Sequence, residues 1–143
     1  MKITVLGKGN AGCVSALHFH YWGQFLEEPI EVEVIHDSKI SPVPVGQASN
    51  LTLPVLLWQA LGSDVASKFS FTRKDGIMYE NWGTKNKFIM HHFPMGNYGI
   101  HFNPSELQKY ILDSLKINFI EKDENVVKYN DITISMKDIH DRN

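Results

Sequence analysis

The residues best suited to chemistry stand near the start of the chain, where glycines follow a short apolar run. After Ile3–Leu6 comes a complete G-x-G-x-x-G pattern, formed by Gly7, Lys8, Gly9, Asn10, Ala11 and Gly12. In a turn from strand to helix, the first glycine permits a tight bend, the second a close approach to a pyrophosphate, and the third close packing of helix on strand. Backbone N–H groups at the helix start then face the phosphates. These residues are therefore predicted to bind a dinucleotide, with a ligand-free glycine turn as the alternative.

A second group of candidate residues stands at the end of the next predicted strand, Glu31–Ile35. In dinucleotide-binding βαβ units, an acidic side chain at this place binds the ribose 2′-hydroxyl. The sequence offers His36 and Asp37, and either can occupy the position. No arginine follows directly, so a 2′-phosphate, and with it NADP, is not predicted. The alternation of valine and glutamate predicts that this strand is less buried than the first.

The elements that must position these residues follow from periodicity and from helix-end signals. Apolar residues at helical spacing predict a helix over Ala11–Phe25, and a long loop is expected over Asp37–Leu53. Further helices are predicted over Pro54–Leu61, with Gly62 beyond its end, and from an Asn103 cap to Leu115. Strand, glycine turn, helix and strand form a Rossmann-like α/β unit. Since such a sheet needs more parallel strands, residues 1–143 are expected to be one portion of a domain that is incomplete at its C-terminal end.

Composition narrows the classes of partner. The chain has a hydrophobic fraction of 43% and a net charge of −2, which suits a globular fold and favours neither nucleic acid nor a membrane surface. The single cysteine, Cys13, rules out an internal disulfide and predicts a reducing compartment, with cytoplasm as the default. No metal is predicted, because the spacings of the histidines fit no standard metal site. The histidines considered are His18 with His20, and His91 and His92 with His101.

Three later segments resemble the flavin-dependent tryptophan halogenases. Residues 42–53, PVPVGQASNLTL, resemble the family's P-x-x-G-V-G-E-A-T-x-P-x-L, with Gln47 in place of glutamate and Ser49 in place of threonine. Residues 74–82, KDGIMYENW, resemble K-x-x-I-x-[FY]-x-N-W, whose lysine is catalytic and corresponds to Lys74. Residues 99–103, GIHFN, resemble an H-[FL]-[DN] segment that precedes a helix, and His101 is expected to be structural rather than catalytic.

The resemblance implies an FAD-binding domain of the flavin monooxygenase type and a reaction. A separate flavin reductase supplies reduced FAD, and O2 and halide ion are co-substrates. Hypohalous acid passes to Lys74, which presents the halogen to an electron-rich aromatic substrate. The implied FAD contacts include the glycine turn and His36 or Asp37. They also include the strap, which is the segment 42–53 that runs beside the flavin, with Val45, Gly46, Gln47 and Ala48 as its contacts. A homodimer stays an option for the assembly.

Three other functions are compatible with parts of this pattern. Another Rossmann flavoprotein monooxygenase would share the glycine turn and would not need Lys74. A non-catalytic FAD-binding fragment is favoured by the absence of the family's W-x-W-x-I-P segment from these 143 residues. An NAD-dependent enzyme would use the same glycine turn, and the long segment between Pro42 and Leu53 argues against it.

Overall fold

The computed structural model describes residues 1–37, 39–62, 68–82, 88–115, 117–121, 126–129 and 132–135. It is a mixed α/β structure, and the chain divides into two compact units. The first unit combines Met1–Val43 with Leu107–Asn143, and the second is Pro44–Glu106. Each unit carries part of the residues that the sequence singles out.

The first unit contains the predicted βαβ arrangement. Its elements are β1 (Lys2–Leu6), α1 (Asn10–Gly23), β2 (Glu31–His36), β8 (Asn118–Glu121), β9 (Val126–Tyr129) and β10 (Ile132–Ser135). Strands β1, β2 and β8 form a parallel sheet in the order β1-β2-β8, and β9 and β10 form an antiparallel pair. The prediction of a Rossmann-like unit is therefore confirmed.

Strand β2 is more buried than β1, contrary to the sequence prediction. It is the central strand between β1 and β8, and four successive residues, Val32–Ile35, whose side chains alternate between its two faces, are all buried. Glu33 is only 8% exposed, and its carboxylate accepts a hydrogen bond from the Thr4 hydroxyl at 2.6 Å. The Lys2 ammonium lies 2.6 Å from its other oxygen, and this hydrogen bond raises the pKa of Lys2. A glutamate is tolerated there because both of its oxygens are paired.

Helix α1 ends at Gly23, two residues before the predicted end. Its buried face is formed by Cys13, Ala16 and Leu17, whereas His18 is exposed. Small side chains on that face allow the helix to lie close to the strands, and Leu17 supplies most of the apolar volume. Beyond the helix, Phe25 is 65% exposed and stacks edge-on against Tyr21. The apolar residues used for the prediction are thus partly on the outer face.

The second unit is built mainly from short antiparallel strands. Its elements are β3 (Gln47–Ala48), α2 (Thr52–Leu61), β4 (Phe71–Lys74), β5 (Gly76–Glu80), β6 (Phe88–His92), β7 (Gly99–Phe102) and the start of α3 (Pro104–Ser114), which continues into the first unit. One sheet has the order β3-β7-β4, and β5 and β6 form a separate hairpin. Strands β3, β4 and β7 were not predicted.

Side-chain caps fix where the helices α2 and α3 begin. The Asn50 carboxamide oxygen accepts hydrogen bonds from the backbone N–H groups of Thr52 and Leu53, so α2 starts two residues before Pro54. Gly62, with a φ of 91°, follows its end as predicted. The Asn103 side chain accepts a hydrogen bond from the N–H of Ser105 at 2.9 Å, which confirms the predicted cap of α3.

Candidate functional site

The glycine turn after β1 is held in one conformation by backbone hydrogen bonds. Gly7 has a φ of 93°, a left-handed conformation that favours glycine, and its N–H donates to the Ile35 carbonyl at 2.7 Å. The Cys13 N–H donates to the Gly9 carbonyl at 2.9 Å, which closes the first turn of α1. At the helix start, Gly9 provides no side-chain cap. In any α-helix the first N–H groups have no acceptor within the helix itself, which makes a helix start a suitable place for an anion.

The space around the glycines fits a pyrophosphate. A Cβ atom added to Gly12 would lie 1.9 Å from the Gly7 carbonyl oxygen, so no side chain fits where helix and turn touch. A Cβ atom added to Gly9 would have no atom within 4 Å, so the space in front of the helix is open. Tight packing behind the turn and open space before it are what a phosphate group needs to reach the backbone N–H groups.

Two side-chain hydrogen bonds further stabilise the conformation of the glycine turn. The Asn10 carboxamide oxygen accepts a hydrogen bond from the buried Gln108 of α3 at 2.7 Å. The Cys13 thiol donates to the Lys8 carbonyl at 3.0 Å and is fully buried. The donors of these two contacts, Gln108 and Cys13, were given no part in ligand binding by the sequence analysis. They fix the turn before any ligand binds, which lowers the entropy cost of binding.

Burial decides the chemistry of Cys13. A thiol at a helix start can have a lowered pKa, yet burial raises the pKa of Cys13 to about 12. Because the folded pKa lies above the unfolded one, the thiol stabilises the fold fully below about pH 9, and this contribution is lost as the pH rises towards 12.

We expect Cys13 to resist alkylation in the native protein. Iodoacetamide should label it at least about 100-fold more slowly at pH 7.5 than in urea, because the thiolate is scarce and the sulfur is covered. Mass spectrometry over a time course measures both rates. Comparable rates in the two conditions would contradict the burial of this side chain.

At the end of β2, the two candidates for the ribose contact, His36 and Asp37, have different surroundings. His36 is the last residue of β2 and is half-buried, opposite Glu121 of β8. Asp37 follows the strand and is 7% exposed. Its Oδ1 accepts a hydrogen bond from the Lys39 N–H at 2.8 Å, and its carbonyl accepts one from Ile40. One carboxylate oxygen of Asp37 therefore shapes the local turn, and the other is the candidate for a ribose contact.

In the second unit, the strap and Lys74 lie in the same sheet. Strap residue Ala48 pairs with His101 of β7, and Gln47 pairs with Phe102. On the other edge of β7, Lys74 pairs with Gly99. Directly paired residues of antiparallel strands point to the same face. Lys74 is thus on the face that carries Ala48 and His101, and Gln47 is on the opposite face.

The side chain of Lys74 has an aromatic neighbour. Its ammonium nitrogen lies 5.5 Å from the centre of the Phe93 ring, and this ring makes an edge contact with His91. The next carboxylate along the chain, Asp75, is paired with Arg73. The lysine is therefore presented beside aromatic side chains. Sequence reasoning missed Phe93, whose only signal was its place in a histidine-rich run.

A cavity of about 520 Å³ opens on the second unit. The strap contributes Pro44, Val45 and Gly46 to it, and β4 and β7 contribute Thr72 and His101. Its size is in the range of sites for cofactors and drug-sized ligands. His101 is exposed at this cavity and is not a core residue.

Across the residues that the structure describes, no three His, Cys, Asp or Glu side chains come together as a metal site. No helix in the described part of the chain combines the length and apolarity needed to cross a membrane.

A family profile shows to which protein family the chain belongs. The sequence profile of the tryptophan halogenases matches residues 2–139. The chain belongs to the tryptophan halogenase family. No curated protein matches the sequence.

Solved structures of halogenases share the fold of this family member. A tryptophan halogenase from Shewanella frigidimarina aligns with 91% of the chain at 14% identity, with a TM-score of 0.72 and 38% of its own length covered. A flavin-dependent halogenase from Xanthomonas campestris aligns with 90% at 15% identity, with a TM-score of 0.71 and 36% covered. A tryptophan 6-halogenase from Streptomyces toxytricini aligns with 91% of the chain at 15% identity, with a TM-score of 0.69 and 36% of its own length covered. The chain thus spans well under half the length of each.

The asparagine of the segment 74–82, Asn81, is explained by its backbone conformation. Asn81 has a φ of 56°, in the left-handed region that asparagine tolerates better than most residues. It directly follows β5, and the rings of Tyr79 and Trp82 on either side of it lie 4.9 Å apart. The asparagine therefore ends the strand, which lets the two aromatic rings meet. This role is conformational and needs no contact with a substrate.

Proposed function

We propose that this chain is the FAD-binding and lysine-bearing part of a flavin-dependent halogenase that acts on an electron-rich aromatic substrate. The observation that carries the proposal is the position of Lys74 in the sheet that also contains the strap, in a chain whose family profile covers residues 2–139. A separate flavin reductase, halide ion and O2 complete the proposed system. Bound FAD, once reduced, supplies the two electrons that activate O2 towards halide.

The first unit is proposed to hold the pyrophosphate and ribose of FAD. The N–H groups at Gly9, Asn10 and Ala11 would donate to the phosphate oxygens, and the positive end of α1 would favour their charge. Asp37 would accept a hydrogen bond from a ribose hydroxyl through its second carboxylate oxygen, with His36 as the other candidate. The strap residues Val45, Gly46, Gln47 and Ala48 would run beside the flavin.

Lys74 is proposed to present the halogen. As an ammonium, its Nζ donates a hydrogen bond to the oxygen of hypohalous acid. This bond makes the halogen more electrophilic and stabilises the departing hydroxide. As a free amine, its Nζ instead takes the halogen and forms a haloamine. In both routes an aromatic carbon gains the halogen and loses a proton, and water is the other product. The ring of Phe93 gives the lysine an apolar flank against which a flat substrate could pack.

A binding titration followed by a coupled reaction tests the proposal. Flavin fluorescence should be quenched on addition of the chain, and NAD should not displace FAD. With a reductase, NADH, bromide and indole, mass spectrometry should find bromoindole. FAD binding without brominated product would favour a flavin monooxygenase or a non-catalytic flavoprotein. NAD binding in preference to FAD would contradict the assignment of the cofactor.

We expect Asp37→Ala to weaken FAD binding about tenfold, which corresponds to the loss of one hydrogen bond to a charged acceptor. Asp37→Asn keeps an acceptor for the Lys39 N–H and should retain the local turn, so its loss of affinity isolates the ribose contact. Isothermal titration with FAD measures both variants. An unchanged affinity in Asp37→Ala, together with a loss in His36→Ala, would assign the ribose contact to His36.

A further inference from the structure

We propose that Ser49 is a positioning residue that holds the strap against β7 through its side-chain hydroxyl. In the sequence, Ser49 stands out only as a replacement for the family's threonine. Its importance for the cofactor rests on the proposed position of the strap beside the flavin. The contact between Ser49 and β7 does not rest on that proposal, and it can be measured in the chain without flavin.

The pairing between the strap and β7 is short. Strand β3 contains only Gln47 and Ala48, which pair with Phe102 and His101 of β7. Strands of globular proteins usually have about 3–10 residues, so a ladder of two residues holds its segment weakly. Pro44, earlier in the strap, has no backbone N–H with which to lengthen the ladder. A contact directly beside this short strand therefore has a large share in holding the strap on the sheet.

Ser49 supplies such a contact, because it makes two hydrogen bonds with one residue of β7. The Ser49 N–H donates to the Ile100 carbonyl at 2.8 Å. The Ile100 N–H donates to the Ser49 hydroxyl at 3.0 Å. Paired residues of antiparallel strands ordinarily exchange two backbone hydrogen bonds, and here a side chain accepts the second one. The hydroxyl thus extends the pairing of the strap with β7 by one residue beyond β3.

Burial makes the hydrogen bond to the hydroxyl costly to lose. Ile100 is 1% exposed, so water does not easily replace the acceptor of its N–H. The single proton of the Ser49 hydroxyl is donated to the Asn50 carbonyl at 2.7 Å. The Asn50 side chain in turn caps α2. The hydroxyl of Ser49 therefore joins β7 to the place where the strap enters α2.

The strap and β7 also form parts of the cavity of the second unit. The lining of this cavity includes residues 44–46 of the strap and His101 and Phe102 of β7. These are the two segments that Ser49 holds together. Loss of the Ser49 hydroxyl is therefore expected to change the shape of the cavity and the position of the strap beside the flavin.

Amide hydrogen exchange of the purified chain, measured by NMR without flavin, tests the contact. In Ser49→Ala, the Ile100 N–H should exchange at least about tenfold faster than in the parent, because its acceptor is removed. The N–H of Leu57, a buried residue of α2, should keep its parental rate, which shows that the second unit stays folded. Ser49→Thr keeps the hydroxyl and should keep the slow exchange of Ile100. An unchanged Ile100 rate in Ser49→Ala overturns the proposal.

FAD titration and the absorption spectrum of the bound flavin test the consequence for the cofactor. Ser49→Ala should bind FAD about tenfold more weakly and shift the visible absorption band of the flavin, whereas Ser49→Thr should keep both parental values. Ser114→Ala is the matched control, because it removes an exposed hydroxyl-to-carbonyl hydrogen bond of the same 2.7 Å length from α3.

The two measurements separate the possible failures. Faster exchange at Ile100 in Ser49→Ala, combined with parental FAD affinity and a parental flavin spectrum, would contradict the positioning role of Ser49. A parent chain that does not bind FAD would contradict the proposed function, and the exchange rates would still decide whether the hydroxyl holds the strap.

Discussion

Replacing Gly12 with alanine is expected to disrupt the first unit and abolish FAD binding. The new Cβ atom would lie 1.9 Å from the Gly7 oxygen and 2.9 Å from the Gly7 carbonyl carbon, and both are backbone atoms. The turn cannot retreat, since the Gly7 N–H is bonded to Ile35 of β2. We therefore expect a loss in the free energy of unfolding of about 3 kcal/mol or more. Urea unfolding followed by circular dichroism measures it.

Gly9→Ala is the matched control for this glycine turn. Its Cβ atom would point into open space, and the backbone there has a φ of −65°, which alanine adopts without strain. Stability should be unchanged or slightly increased, because alanine restricts the unfolded chain. FAD affinity should nevertheless fall, since the methyl group occupies the space proposed for the pyrophosphate. If Gly9→Ala binds FAD as tightly as the parent, the phosphates lie elsewhere. If Gly12→Ala has the same free energy of unfolding as the parent, Gly12 does not pack against the Gly7 carbonyl as closely as the structure shows.

Lys74→Ala is expected to lower the halogenation rate at least about 100-fold, the scale of a positioned proton-transfer or hydrogen-bonding group. FAD affinity and the free energy of unfolding should change little, because the fold is built on the β-ladder of Lys74 with Gly99 and not on its ammonium. Initial rates of bromoindole formation, with reductase in excess, measure the effect. Lys109→Ala, on the exposed side of α3, is the matched control and should keep the parental rate.

Lys74→Arg distinguishes the two proposed forms of the lysine. Arginine stays protonated, so it can donate a hydrogen bond to hypohalous acid but cannot act as a free amine. Residual activity in this variant well above that of Lys74→Ala would favour the ammonium route. Activity equally low in both would favour the haloamine route. A parental rate in Lys74→Ala would remove Lys74 from the mechanism.

The features predicted correctly from the sequence are those decided within a few residues. The cap of α3 depends on Asn103 and an N–H two residues later, and the end of α2 depends on the conformation of Gly62. The glycine turn is likewise a local arrangement whose residue types are required by its geometry. The start of α2 was placed two residues too late because proline suits a first turn, whereas Asn50 supplies the cap.

The sequence by itself determined the βαβ unit, the glycine turn and the family, because spacing and residue type express these directly. Only the tertiary structure decided that β2 is a buried central strand, because its second in-sheet partner, β8, comes from far along the chain. Tertiary structure also decided that β7 lies between the strap and Lys74. The hydrogen bond between Ser49 and Ile100 spans 51 residues, and no local pattern specifies such a pairing. Strand partners are chosen by which faces can be buried together, and that choice becomes visible only when the chain is folded.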